Sequence, residues 1–183
     1  MGFHHLAFAT NDMAATHAFY TDVMGFRLAK TVVNETPDGG WAKHVFYDTG
    51  DGEYIAFWEL HDDTIGPFNA SISDGLGLPA WVNHIAFRSA SEAELSERRD
   101  ALVASGHIVV EIDHGFCRSV YLEDPNKILV EFCTDTGGLD ENDAIEAARL
   151  LADPAPLVEP APSATIHGLP PKPPTELFAD SAP

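Results

Sequence analysis

His84-Ile85-Ala86-Phe87 repeats His5-Leu6-Ala7-Phe8 in the second half of the chain. Each tetrapeptide sits in a strand-like run, Phe3 to Thr10 and Trp81 to Arg88, and each run leads into a helix-like segment that ends at a glycine, Gly25 or Gly106. Around the first copy, Asn11 or Asp12 is a natural N-cap, and Met13, Ala14, Ala18, Phe19 and Val23 fall at helical spacing. Strands are then expected at 26–33, 41–47 and 53–60, the last two joined by the turn D-T-G-D-G. Around the second copy, S-E-A-E from Ser91 forms a capping-box pattern, and strands are expected at 107–112, 118–122 and 127–132. The order strand, helix, strand, strand, strand thus occurs twice. A duplicated unit of this kind points to an α+β fold. Two β-α-β-β-β modules, 3–60 and 81–134, joined by a Gly-, Asp- and Ser-rich connector at 61–80, are expected to pair into a shared curved sheet around a cleft. In this reading Tyr47 of the first hairpin matches Tyr121 of the second.

The second hairpin carries the most chemistry. It reads I-D-H-G-F-C-R-S-V-Y-L-E-D-P-N-K-I-L-V-E from Ile112 to Glu131. Asp124-Pro125-Asn126 marks the turn. On the strand that follows, Ile128 and Val130 face one way, Leu129 and Glu131 the other. A carboxylate between Val130 and Phe132 is either an edge residue in water or a buried anion that needs a cation.

His5 and His84 occupy the same place in the two copies, so a two-fold relation would bring them together. With Glu131 they make two imidazoles and one carboxylate, a set that holds a divalent metal on one side and leaves positions open. His4 competes with His5, but strand alternation puts the neighbours on opposite faces. The match to His84 selects His5, and His4 is expected to leave metal uptake unaffected.

Composition narrows the partners. Asp and Glu number 29 against 10 Lys and Arg, a formal net charge of −19, which disfavours nucleic acid and anionic membranes. No apolar run is long enough to cross a membrane, and the N-terminal residues do not read as a signal peptide. Two cysteines, Cys117 and Cys133, are too few for a disulfide framework, so the cytoplasm is the default compartment. A small molecule is the expected partner, and homo-oligomerisation is left open.

On these residues the chain resembles the vicinal oxygen chelate superfamily, which holds glyoxalase I, the type I extradiol dioxygenases, and the fosfomycin and bleomycin resistance proteins. The resemblance covers Phe3 to Thr134. N-D-M-A-A-T-H-A-F-Y-T-D-V-M-G-F looks like the superfamily's opening helix. The hairpin is similar to the extradiol signature at Ile112, His114, Val120, Tyr121, Asp124, Pro125 and Glu131. It departs at Lys127, where the signature has Gly or Pro, a change expected to alter the turn and not the ligand. The resemblance implies that His5, His84 and Glu131 hold ferrous iron, with manganese, zinc or nickel as alternatives. It also implies that His114 and Tyr121 contact a catechol-like substrate or O2.

The acid/base histidine of two-domain extradiol enzymes is missing from 53–60, where Glu53 or Tyr54 stands, and His44 or His61 is a substitute. A glyoxalase-like isomerase would use a fourth ligand, and a thiol transferase using a divalent metal is a further alternative. Counting from Tyr47 puts that position at Phe57, an apolar residue, and Glu59 would serve after a two-residue shift. A metal-free, drug-sequestering binder would use an aromatic cleft instead, with Trp41, Phe57, Trp58 and Trp81 as its lining. His44, Glu53, Tyr54, Phe57 and Glu59 are therefore the candidate pocket residues. Residues 1–135 form the expected domain. Beyond it, 136–183 hold a short helix, Asp140 to Leu151, and a Pro-rich tail with no assigned chemistry, though Leu177-Phe178 could dock.

Overall fold

The computed structural model describes residues 2–50 and 52–169, so Leu177 and Phe178 lie outside the described residues. The duplication is present. In the first module β1 (His5–Thr10), β2 (Arg27–Glu35), β3 (Trp41–Gly50) and β4 (Glu53–His61) form a four-stranded sheet in the order β1-β4-β3-β2. In the second, β5 (His84–Arg88), β6 (Val109–Asp113), β7 (Cys117–Glu123) and β8 (Leu129–Asp135) form the same pattern, and β9 (Ala164–His167) adds a fifth strand next to β6. The first strand of each module pairs in parallel with the last, and the others run antiparallel. The Pro-rich tail, given no chemistry from sequence, thus contributes a strand.

Helix α1 (Met13–Ala18) starts where Asp12 accepts the Ala15 N–H, continues as a π-helical turn through Phe19–Val23, and ends before Gly25, whose φ of +75° suits glycine. A short helix, α2 (Ile72–Gly75), and a 3-10 turn (Ala80–Val82) lie in the connector. Helix α3 (Glu92–Ala104) is capped by Ser91, which accepts the Glu94 N–H, and α4 (Glu141–Ala152) is capped by Asp140.

The modules meet through their helix-bearing faces, and one core lies between the two sheets. Phe19, Tyr20 and Met24 bury themselves on Val45, Tyr47, Ile55 and Phe57, while Leu95 and Leu102 cover Val109, Val120, Val130 and Phe132. Phe26 meets Phe87 across the seam, ring centroids 5.0 Å apart. A buried polar cluster locks the seam. Asn126 accepts from Thr10 at 2.7 Å and donates to Thr16 at 3.0 Å, and the Tyr20 hydroxyl donates to Asp124 at 3.1 Å. Burial pushes the Asp124 carboxyl above its usual range, although Ile128, Asn126 and Tyr20 all donate to it.

This packing separates the sheets. They are two hydrogen-bonded sheets and not one shared curved sheet, and each turns its second face away from the common core. Period-two alternation then sends His5 outward from one sheet and His84 and Glu131 outward from the other.

Candidate functional site

On the second module's outer face, β5, β8 and β7 are aligned so that Ala86 pairs with Glu131 and Glu131 with Tyr121. Glu131 is 5 % exposed, which settles the hairpin's ambiguity in favour of a buried side chain on a strand flanked by β5 and β7. His84 Nε2 lies 3.2 Å from Glu131 Oε2, and His84 Nδ1 lies 3.1 Å from the Trp81 carbonyl oxygen. A carbonyl only accepts, so Nδ1 carries the proton. Nε2 and the Glu131 oxygen then face each other across a gap that takes one proton, held by either group, or a cation. Ligand atoms at adjacent corners of an ion with bonds of about 2.1 Å sit about 3 Å apart, and a metal-bound histidine typically donates its other N–H to a carbonyl. The pair therefore fits two neighbouring ligands of one divalent metal.

Beside it, the Tyr121 hydroxyl and His114 Nε2 are hydrogen-bonded at 3.0 Å, and the Tyr121 ring stands edge-on to His84, 6.1 Å between centroids. Burial, and then the nearby Glu131 charge, push the Tyr121 phenol up to about 12, so it keeps its proton at neutral pH. His84, Tyr121 and His114 line a hollow of about 620 Å³ whose other walls are Trp81, Val110, Ile112, Leu129, Ala161 and Pro162. It is apolar with a few polar groups at one end, the general form of a small-molecule site.

The first module's outer face differs. Ala7 pairs with Ala56, and Ala56 with Phe46. The counterpart of Glu131 is thus Ala56, and the counterpart of Tyr121 is Phe46. Three expectations are corrected by this register. Tyr47 is not the partner of Tyr121: it faces the core, fully buried, with its ring 5.9 Å from Tyr20. Phe57, also 0 % exposed, packs against Tyr20 at 4.7 Å and lines no cleft. Glu59 is on the same face as Phe57, opposite to His5, and is engaged by Lys43 at 2.8 Å and His61 at 3.1 Å, so it supplies no fourth ligand here. Those two partners hold the Glu59 carboxyl below its usual range, Lys43 most strongly.

His5 shares its face with Tyr54, Phe46 and His44; its ring is 5.4 Å from Phe46 and 6.0 Å from His44. Contrary to the alternation argument, His4 lies beside it, Nδ1 to Nδ1 at 2.8 Å. The regular ladder starts at His5, so alternation does not govern His4, whose ring instead rests against Tyr54, 5.7 Å away. His44 stacks on Trp58 at 3.8 Å, and its buried Nε2 has no hydrogen-bond partner among the described residues. Burial, and then His5, lower the His44 pKa. His61 stacks on Trp41 at 3.8 Å and is not part of this group. Glu53 accepts the Phe3 N–H at 3.1 Å at the start of β4.

The structure therefore brings together His84, Glu131, Tyr121 and His114, and separately His5, His4, His44 and Tyr54. It does not bring His5 to His84 and Glu131 within one chain: among the described residues no three His, Cys, Asp or Glu side chains are arranged to hold a metal. Ala161 and Pro162, which line the hollow, were not anticipated from sequence; a tail proline gives no signal of what it covers.

Comparison with known proteins identifies the class. The model of the Glyoxalase/Bleomycin resistance protein/Dioxygenase superfamily matches residues 2–132, and the chain belongs to that superfamily. A lactoylglutathione lyase from Agrobacterium tumefaciens has a similar structure, with 22 % identity, 73 % of this chain and 92 % of that chain covered, and a TM-score of 0.51. A glyoxylase/bleomycin resistance protein/dioxygenase domain from Frankia sp. EAN1pec is similar over 74 % of this chain and 98 % of its own, at 18 % identity and a TM-score of 0.53. No curated protein matches the sequence. No helix among the described residues is long and apolar enough to cross a membrane.

Proposed function

We propose that the protein is a divalent-metal-dependent enzyme whose site is completed by a second copy of the chain: His84 and Glu131 from one copy, His5 from the other. The observation that carries this reading is the 3.2 Å approach of His84 Nε2 to Glu131 Oε2, with Nδ1 already committed to the Trp81 carbonyl. His5 has a matching disposition, since its Nδ1 is engaged by His4 and Nε2 is left for an ion. Both half-sites lie on faces turned away from their own core, where another copy can meet them.

Two imidazoles and one carboxylate leave positions open, the ligand set suited to ferrous iron in oxygen chemistry. Ala56 at the fourth position favours this set over the two-carboxylate set of an isomerase. The reaction we propose is extradiol-type oxygenation of a catechol or similar molecule with two adjacent oxygens. Iron, when bound, would couple the electron-rich ring to O2. The chain's own residues do the rest. Tyr121 donates a hydrogen bond to the oxygen that becomes negative, and His114 holds the Tyr121 hydroxyl in place. His44, on the face that carries His5, is the base in this proposal. The apolar hollow seats the ring.

Mixing variants tests the two-copy site. His5→Ala and His84→Ala each bind no metal alone. In an isolated heterodimer of the two, a site shared between copies returns one intact site of two, hence half the wild-type metal, whereas a site within one chain returns none. Oxygen uptake on catechols by the iron-loaded protein then tests the reaction. Turnover of a hemithioacetal with zinc or nickel would instead mark an isomerase.

A further inference from the structure

The match to the family model ends at residue 132, yet the hollow beside His84 is not finished there. Its outer wall is built by Ala161 and Pro162, which belong to the tail. We infer that the tail segment 154–169 is a strap that closes this wall and sets the size of what the hollow admits. The inference rests on the reading of the hollow as the substrate's seat.

The strap is fastened at one end. Strand β9 zips antiparallel onto β6, with Ile166 opposite Val110 and Ala164 opposite Ile112, the two β6 residues that form the hollow's floor. His167 Nε2 lies 2.9 Å from Glu111 Oε2, and Glu111 also accepts from Arg99 at 3.0 Å. Past the strand, Gly168 adopts a φ of +79° and lies so close to the His107 carbonyl oxygen that a side chain there would collide with it. Ahead of the strand, prolines at 154, 156, 160 and 162 have no N–H to offer a ladder. Pairing therefore begins only at Ala164, and the segment before it leans over the hollow instead of continuing the sheet. Prolines also lower the entropy lost on ordering such a segment.

Two variants of the full-length protein separate the strap's attachment from its role as a wall. Gly168→Val should unfasten it, read as loss of hydrogen-exchange protection at the amides of Ala164–His167. Pro162→Trp should keep that protection but fill the hollow. Binding of 1-anilinonaphthalene-8-sulfonate, followed by its fluorescence, reports the hollow without metal or turnover. The wild type should bind it, and Pro162→Trp should weaken binding at least fivefold. Unchanged affinity in Pro162→Trp, unchanged protection in Gly168→Val, or no binding by the wild type would overturn the inference. If the protein takes up no metal but Pro162→Trp still blocks the dye, the enzymatic reading falls and the strap stands. If iron and turnover are intact while the dye is indifferent to Pro162→Trp, the strap alone falls.

Discussion

The two modules share a fold and differ in chemistry. Behind His84, the register supplies Glu131 and Tyr121; behind His5, the same positions hold Ala56 and Phe46. One outer face thus carries two neighbouring donors and a phenol, while the other carries three histidines among aromatic rings. Sheet architecture depends on which face is apolar and tolerates either set, because both lie off the core face. The chemistry depends on individual side chains, and it is unequally divided.

The largest effect that distinguishes the faces is expected from Glu131→Ala, which should reduce metal affinity at least a hundredfold. Ala56→Ser, at the matching place, should leave it unchanged; equal losses by metal analysis would erase the distinction. Tyr121→Phe should lower kcat about 10²- to 10³-fold with metal content intact, on the scale of losing one donor to a developing oxyanion. Phe46→Tyr should not create activity, and steady-state kinetics of both variants would show it. Within the first face, His5→Ala should abolish metal uptake while His4→Ala weakens it about tenfold, the usual scale for a residue that orients a ligand. A titration in which His4→Ala matches wild type would restore the view that His4 stands apart.

At the seam between the modules, Asn126→Ala should cost about 1–3 kcal/mol in denaturant unfolding, because Thr10 and Thr16 would lose a buried partner. The smallest effect concerns the two hairpin turns. The first uses glycines at positive φ, Gly50 and Gly52, whereas the second places Lys127 at φ +60°. Lys127→Gly should therefore stabilise the protein by about 1 kcal/mol, measured by the same unfolding, since a left-handed conformation costs a residue with a Cβ roughly that much. Loss of stability would mean that the Lys127 side chain, not its backbone, matters.

The turn also shows how sequence and structure relate. Lys127 departs from the extradiol pattern, and a changed turn was expected. Lys127 takes a left-handed conformation in this turn, with Asp124 accepting the Asn126 and Ile128 N–H groups at 2.8 Å. The repeat, the helix caps at Asp12 and Ser91, and the placing of Glu131 opposite Ile128 and Val130 were all legible, because each is a local pattern with a fixed period or partner. The pairing of Tyr47 with Tyr121 was misleading for a physical reason. Identity of residue type says nothing about face, and a slip of one residue turns a cleft residue into a core residue. The same slip produced Phe57 in place of Ala56, and a further two-residue shift produced Glu59.

By itself the sequence determined a duplicated α+β unit with a histidine at the head of each copy and a carboxylate late in the second. These follow from periodicity, which acts over a few residues. Tertiary structure decided that the copies join through their helix-bearing faces, so that His5 and His84 turn outward on different sheets. It also decided that the tail walls the hollow. Both outcomes depend on which apolar faces bury each other, a choice made by packing across the whole chain.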